Sequence, residues 1–271
     1  MPIKIATLMS VYRGDNPSEF ETALDSVLNQ VFSDDVESRL YLAIDGEVTN
    51  EINQVIATHE KNIHLIHRLE RNVGLASALN SLINLLADEV FIFRMDADDR
   101  SHLNRYQTQL NYFKDYADID ILGTDMIEID KQREKYRRVS FCNGPDDAIA
   151  KLCQRVPVAH PTVCFRRRVL DRVGGYSLAG TNEDIALWFR CAKEGFKFDN
   201  VKQPLLDFTV SPGFWNRRNY KKAFSELRCY MQGIWAMEGL TWKYVYPLAR
   251  FFLRMAPTWF AQKIYRSRIR G

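Results

Sequence analysis

Short apolar runs separated by stretches of helical periodicity organise the first half of the chain. Residues 3–11, 40–44, 63–66, 90–95 and 119–123 read as buried strands. Between them, Phe20, Ala23, Leu24, Val27 and Leu28 recur at helical spacing within 17–31, and Leu75, Leu79, Leu82 and Leu86 share one face of 75–86. Helices are also expected over 51–60 and 102–116. Such alternation predicts an α/β fold with a mainly parallel central sheet covered by helices on both faces. The second half is less regular. A helix over 146–153, a strand over 162–165, a helix over 167–173 stopped by Gly174-Gly175, and a helix over 184–193 stopped by Gly195 are expected. No boundary stands out before Pro212-Gly213. From about residue 219 the pattern is helical, with breaks expected at Pro247 and Pro257.

In an open parallel sheet, ligands bind beyond the carboxyl ends of the strands. Here the first run ends in Ser10-Val11-Tyr12, the second in Asp45-Gly46 and the fourth in Asp96-Ala97-Asp98-Asp99. The last cluster crowds three carboxylates into four residues, which is costly unless a cation binds. Oxygen ligands suit Mg2+ or Mn2+. The alternative is a solvated acidic turn that caps the helix near His102. A calcium loop does not fit, because Ser101 and Gln107 stand where that loop needs Gly and Glu.

Other candidates carry the same two-way reading. Asp45-Gly46 is either a simple turn or a carboxylate set to accept from the imide N–H of a uracil ring. Asn72 either caps the helix that follows or touches a ligand, and Gly74 permits close backbone approach. In Asn182-Glu183-Asp184 the acids either complement a helix dipole or, if Asp184 faces the crevice, supply a general base. His160, beside Pro161, is a structural group or a substrate contact.

Charge adds one asymmetry. The 271 residues hold 37 Lys and Arg against 34 Asp and Glu, a net of +3, too small to argue for nucleic acid. After Glu238, however, there is no acid, while Lys243, Arg250, Arg254, Lys263, Arg266, Arg268 and Arg270 are basic. A mildly acidic body thus carries a basic, aromatic tail. Five scattered cysteines without a Cys-x-x-Cys pair disfavour a disulfide framework or thiolate zinc site. No secretory signal or membrane-spanning run is read, so a cytoplasmic location is expected.

Taken in order, these motifs resemble the family 2 glycosyltransferases, in the branch that builds bacterial exopolysaccharide, capsule and O-antigen, including those of amylovoran biosynthesis. The matching features are Ser10-Val11-Tyr12, Leu24 to Gln30, Asp45-Gly46, Asn72 to Asn80 and Arg94-Met95-Asp96-Ala97-Asp98-Asp99. His160-Pro161-Thr162, Gly174-Gly175-Tyr176 and Glu183-Asp184 with Leu187-Trp188 complete the series, over roughly residues 3–210. The resemblance implies a glycosyltransferase-A fold: residues 1–212 as the catalytic domain, with a nucleotide-sugar half (1–123) and an acceptor half (124–212), then a helical extension (213–271).

It also implies a nucleoside-diphosphate sugar donor, expected to be a UDP-sugar, and a lipid-linked glycan acceptor. Ser10, Tyr12, Asp45 and Asn72 would line the nucleoside pocket. Asp98 would be the main ligand of Mn2+ or Mg2+, with Asp96 close to ribose or metal, and Asp184 the base of an inverting displacement. The Gln-x-x-Arg-Trp motif of processive synthases is absent, so transfer of a single sugar is expected. Arg217-Arg218 are candidate diphosphate contacts.

Phe251, Phe252, Leu253, Trp259, Phe260, Ile264 and Tyr265, interleaved with arginines, suit an interfacial helix on the inner face of the cytoplasmic membrane. The same aromatics also suit packing on the domain or on a second subunit. Two competing functions remain: a sugar-phosphate nucleotidyltransferase, whose Gly-rich, Arg-containing loop Ser10-Val11-Tyr12-Arg13-Gly14 does not match, and a membrane-bound scaffold without turnover.

Overall fold

Each of the first four apolar runs forms a strand in the computed structural model, which describes residues 2–33, 35–130, 135–178, 182–210 and 220–255. They are β1 (Ile3–Tyr12), β2 (Val36–Asp45), β3 (Leu65–Leu69) and β4 (Phe91–Met95), all parallel, in the order β3-β2-β1-β4. Register brings their ends together: Tyr12 lies beside Asp45, Leu69 beside Asp45, and Met9 beside Met95. The residues leaving these strands therefore emerge along one edge.

The sheet continues past β4 with changed direction. The further strands are β5 (Arg100–Ser101), β6 (Ile121–Asp130), β7 (Lys135–Val139), β8 (Cys164–Arg166) and β9 (Phe198–Thr209), and the full order is β3-β2-β1-β4-β8-β6-β9-β5, with β7 paired to β6. β8 runs antiparallel to β4, with Phe93 opposite Cys164. This reversal places the 3₁₀ turn His160–Thr162, which enters β8, against β4, where the Arg94 N–H bonds the Val163 carbonyl at 3.0 Å.

β9 was not expected, because Lys202, Gln203 and Pro204 interrupt its apolar pattern. The ladder absorbs them through register shifts against β6, where Asp125 pairs with Pro204. β6 likewise runs seven residues beyond the expected strand end at Gly123, to Asp130.

Helices cover both faces. α1 (Pro17–Leu28), α2 (Asn50–His59) and α4 (Arg105–Asp115) pack on one side, with Phe20, Leu24, Ile52, Tyr106 and Phe113 buried against Ile5, Met9 and Ile44. α3 (Leu75–Ile83), α6 (Arg167–Val173) and α7 (Glu183–Lys193) cover the other, where Leu79, Leu170 and Trp188 meet Leu8 and Phe165. Asn16 caps α1 by accepting from the Ser18 and Glu19 N–H groups. α1 ends three residues early, since the Asn29 N–H bonds back to Asp25 and the Gln30 side chain crosses to the His102 carbonyl.

α5 (Pro145–Lys151), α8 (Tyr220–Glu238) and α9 (Val245–Met255) complete the described helices. α8 lies on α7, where Gly233 is pressed so close to the Phe189 ring that a Cβ would sit 2.3 Å from it. Pro247 does not break a helix. It occupies the first turn of α9, where no N–H is needed, and the chain turns instead at Gly239. Pro212-Gly213, Arg217-Arg218, Pro257, Trp259, Phe260, Ile264 and Tyr265 lie outside the described residues.

Candidate active site

The edge formed by β1, β2 and β3 is built around Asp45. This buried carboxylate accepts the Val73 N–H at 2.7 Å on one oxygen and the Gly74 N–H at 2.9 Å on the other. The Asn72 amide donates back to the Asp45 carbonyl at 3.3 Å. Asn72 therefore does not cap α3, whose first turn has Gly74 at its cap position without a side-chain bond. Gly46, at φ +82°, must be glycine: a Cβ there would lie 2.5 Å from the Asn72 nitrogen. Ser10 is half-buried and the Tyr12 ring is 47% exposed at the same edge.

The acidic turn is not a solvated helix cap. Asp99 is buried, and Asn104, at the cap position of α4, makes no side-chain cap bond. His102 stands before that helix, with its Nε2 3.0 Å from Asp207. Ligand oxygens of Asp96, Asp98 and Asp99 all lie within 4.8 Å of one another. Asp99 accepts the Thr209 N–H at 2.9 Å on one oxygen, while its buried Oδ2 has no partner.

Burial, and then the charge of Asp96, pushes the Asp98 carboxyl up to about 6. Asp15 is raised to about 6 as well, by burial and by Asp98 and Asp96, although its oxygen accepts the Tyr12 N–H. Asp15 therefore belongs to the same acidic pocket, a placement set by the turn before Asn16. An all-oxygen donor set with an orphaned buried carboxylate oxygen fits a hard divalent cation such as Mg2+ or Mn2+.

Arg94 organises the opposite wall. Its guanidinium is buried in β4, pairs with Asp96, and leaves Nε and Nη1 without partners. Its charge acts on Asp98 and Asp99 on one side and on Glu183 and Asp184 on the other. Glu183 and Asp184 occupy the first turn of α7, and burial raises both carboxyls above their ordinary range. Glu183 also feels Asp96, whereas Asp184 feels Glu226 of α8.

His160 completes this wall. Its Nε2 lies 2.8 Å from the Tyr176 hydroxyl, and burial, reinforced by Arg94, holds its pKa well below the usual imidazole value, so it is neutral. Tyr176 is held in turn by Asn80, which donates to its carbonyl at 2.8 Å and accepts its N–H at 2.7 Å. Sequence reasoning gave Arg94, Asp15 and Asn80 no role. For Arg94 the available signal was a lone charge inside the apolar run Val90–Met95.

Residues 8–174 match the family model for glycosyl transferase family 2. The chain belongs to this family. It is 29% identical, over 98% of its length and 97% of the relative's, to a UDP-Gal:α-D-GlcNAc-diphosphoundecaprenol β-1,3-galactosyltransferase of Escherichia coli. It is 27% identical, over 98% and 99%, to the amylovoran biosynthesis glycosyltransferase AmsE of Erwinia amylovora.

Among solved structures, S. aureus TarS 1–349 in complex with UDP-GlcNAc matches with a TM-score of 0.68 at 16% identity, over 93% of this chain and 72% of that one. The chain spans 43% of a longer TarS chain. The mannosyltransferase PcManGT of Pyrobaculum calidifontis, in complex with GDP-Man and Mn2+, matches at 0.60 and 14% identity, over 98% and 79%. The family 2 protein thus has the glycosyltransferase-A fold and is a glycosyltransferase, which sets aside the nucleotidyltransferase and the scaffold without turnover.

Proposed function

We propose that this family 2 enzyme transfers one sugar, with inversion, from a UDP-sugar to a hydroxyl of a lipid-diphosphate-linked glycan during cell-surface polysaccharide assembly. The observation that carries the reading is that the acidic turn after β4 and the acid pair opening α7 are set around one buried cation, Arg94. Residues 1–123 bind the donor and 124–212 the acceptor, with α8 and α9 extending the acceptor side.

Ser10, Tyr12, Asp45 and Asn72 line the nucleoside pocket, and Asp45 also shapes it by fastening Val73 and Gly74. Asp98 and Asp96, beside Asp99, would hold Mn2+ or Mg2+. Such a cation, when bound, neutralises charge on the departing nucleoside diphosphate. The acceptor oxygen attacks the anomeric carbon as the bond to the diphosphate breaks, and the hydroxyl proton passes to the Asp184 carboxylate. The relatives named above support donor and acceptor class: one uses UDP-Gal and a diphosphoundecaprenol-linked sugar, and one structural neighbour holds UDP-GlcNAc.

Calorimetry tests the donor side. UDP is expected to bind with Mn2+ and to weaken by about tenfold or more in EDTA, and Asp98→Ala is expected to remove that difference. Metal-dependent UDP binding that survives Asp98→Ala overturns the assignment. A thermal-shift panel of UDP-, GDP- and dTDP-sugars then identifies the base, because bound donor raises apparent stability.

The reading also places the enzyme at the inner face of the cytoplasmic membrane, but through an apolar rather than a basic surface of α9. Arg250 turns inward to Glu226 and stacks on Tyr230, while Arg254 pairs with the same carboxylate from an exposed position. Val245, Leu248, Phe252 and Met255, spaced three or four residues apart, are exposed as well. No described helix is long and apolar enough to cross a membrane. Phe252→Ser with Leu248→Ser is expected to lower the fraction sedimenting with anionic phospholipid vesicles severalfold, roughly as burial of two large side chains predicts. Unchanged sedimentation with a lost dimer in light scattering assigns the stripe to a second copy.

A further inference from the structure

His160 keeps one ring nitrogen for a ligand. Its Nε2 is 2.8 Å from the Tyr176 hydroxyl. Nδ1 has no partner among the described residues and is not a buried atom, so it opens to solvent. Burial holds the imidazole neutral and also raises the Tyr176 hydroxyl, which keeps its proton. A phenol is the better donor of the two. Tyr176 therefore donates to Nε2, and the ring proton sits on Nδ1, free to donate.

The ring stands between the two acidic groups. On one side its turn packs against β4, where the Arg94 guanidinium pairs with Asp96. On the other it meets the Trp188 ring edge-on, with centroids 6.2 Å apart, and Trp188 shares a face of α7 with Asp184, four residues earlier. A sugar whose diphosphate lies at the acidic turn, and whose anomeric carbon is attacked from the side of Asp184, spans this interval. The turn is also rigid. The Thr162 hydroxyl donates to the Ala159 carbonyl at 2.9 Å, and the Gln109 amide donates to the Thr162 carbonyl at 3.0 Å. Nδ1 is thus set in place before a ligand arrives.

The surroundings narrow the group it meets. Asp96, Glu183 and Asp184 wall the pocket, and an ionised carboxylate only accepts hydrogen bonds. A ligand group that accepts from Nδ1 gains most there if it also carries a proton of its own. A hydroxyl does, and an amide carbonyl does not. We propose that the Nδ1–H of His160 donates to a ring hydroxyl of the transferred hexose, so that His160 is a specificity-determining residue and Tyr176 its positioning residue. The inference deepens the function proposed above and rests on its donor and base.

Calorimetry with Mn2+ reads the contact, with UDP, the UDP-hexose selected by the thermal-shift panel and the monodeoxy analogues of that donor as probes. His160→Leu is expected to bind UDP within about twofold of the wild type and the UDP-hexose about tenfold more weakly. In the wild type one monodeoxy analogue is expected to bind about tenfold more weakly than its parent. In His160→Leu that analogue and its parent are expected to bind equally. His160→Asn, whose amide N–H stands near the place of Nδ1–H, is expected to restore part of the loss. Tyr176→Phe keeps the packed ring but releases the imidazole, and is expected to weaken the UDP-hexose severalfold with UDP unchanged. It carries the test if His160→Leu does not fold.

Equal weakening of UDP and UDP-hexose in these variants makes the pair structural and overturns the contact. So does an unchanged UDP-hexose affinity, or a rise in acceptor KM alone in transfer assays. A panel that selects a GDP- or dTDP-hexose overturns the UDP reading, and the same comparison is then made with that nucleotide and its hexose. A panel in which no nucleoside-diphosphate hexose binds overturns the donor and the contact together.

Discussion

Asp184→Asn is expected to lower the rate of sugar transfer by about 10²–10⁴-fold while changing the affinity for UDP with Mn2+ by no more than about twofold. The amide keeps the shape of the side chain but cannot take the acceptor proton. UDP affinity survives because the metal-holding carboxylates belong to the turn after β4, a different element from α7. Burial raises Asp184 above the ordinary aspartate range, so the wild-type rate should climb with pH through a pKa higher than 3.8 as the base loses its proton. That acid limb should vanish in the variant.

Glu183→Gln is the matched comparison. Glu183 is also raised by burial, and the charge of Asp96 is among the main causes of its shift. Its loss is therefore expected to weaken UDP–metal binding slightly and slow transfer much less. Transfer at the parental rate in Asp184→Asn, with loss in Glu183→Gln, moves the base by one residue. The measurement is a single-turnover assay with labelled UDP-sugar across pH, set beside UDP calorimetry.

Much of this was legible because the first half of the chain obeys simple periodicities. Apolar runs that become β1, β2 and β4 are buried on both faces, so they stand out against the amphipathic helices between them. Their ends then point to the crevice, and the charges at Asp45, Asp96, Asp98 and Asp184 are conspicuous in such surroundings. β7 and β9 are different. Lys135–Val139 is short and charged, and Phe198–Thr209 contains Pro204, so both owe their strand state to pairing with β6 rather than to their own pattern.

The same limit applies at the site. Asp45 was readable as a turn residue, but its hold on Val73 and Gly74 joins positions 28 and 29 residues apart. The crossing of Asn80 to Tyr176 spans 96 residues. No local pattern encodes either contact. In the tail, composition alone did not separate the arginines: the buried carboxylate of Glu226 draws Arg250 inward and pairs with exposed Arg254, and Val245, Leu248, Phe252 and Met255 are exposed as well.

Arg94→Met should be among the most damaging single changes to this fold. Methionine fills similar space, but it takes the buried cation from half-buried Asp96 and removes the positive charge that lowers Asp98, Asp99, Glu183 and Asp184. Removing one partner of a fully buried pair costs about 3–5 kcal/mol, and the partial exposure of Asp96 puts the loss here near the lower end, about 3 kcal/mol. At about 2–4 °C per kcal/mol, a fall in Tm of roughly 10 °C is expected by calorimetry.

The deficit should also depend on pH, with a defined sign. Asp184 and Glu183 have folded pKa values above their unfolded ones, so their protonation favours the folded state below the unfolded value, and that contribution is lost as pH rises through the folded one. Arg94 lowers both, so its removal raises both further and extends the loss upward in pH. The Tm gap between wild type and Arg94→Met should therefore be wider at pH 8 than at pH 5, and the acid limb of transfer should shift to higher pH. Arg94→Lys, which keeps the charge but not the planar fork, should recover most of the stability and return the limb toward its original position. An acid limb that stays where it was would mean that Arg94 serves the acidic turn alone and that the two carboxylate groups act independently.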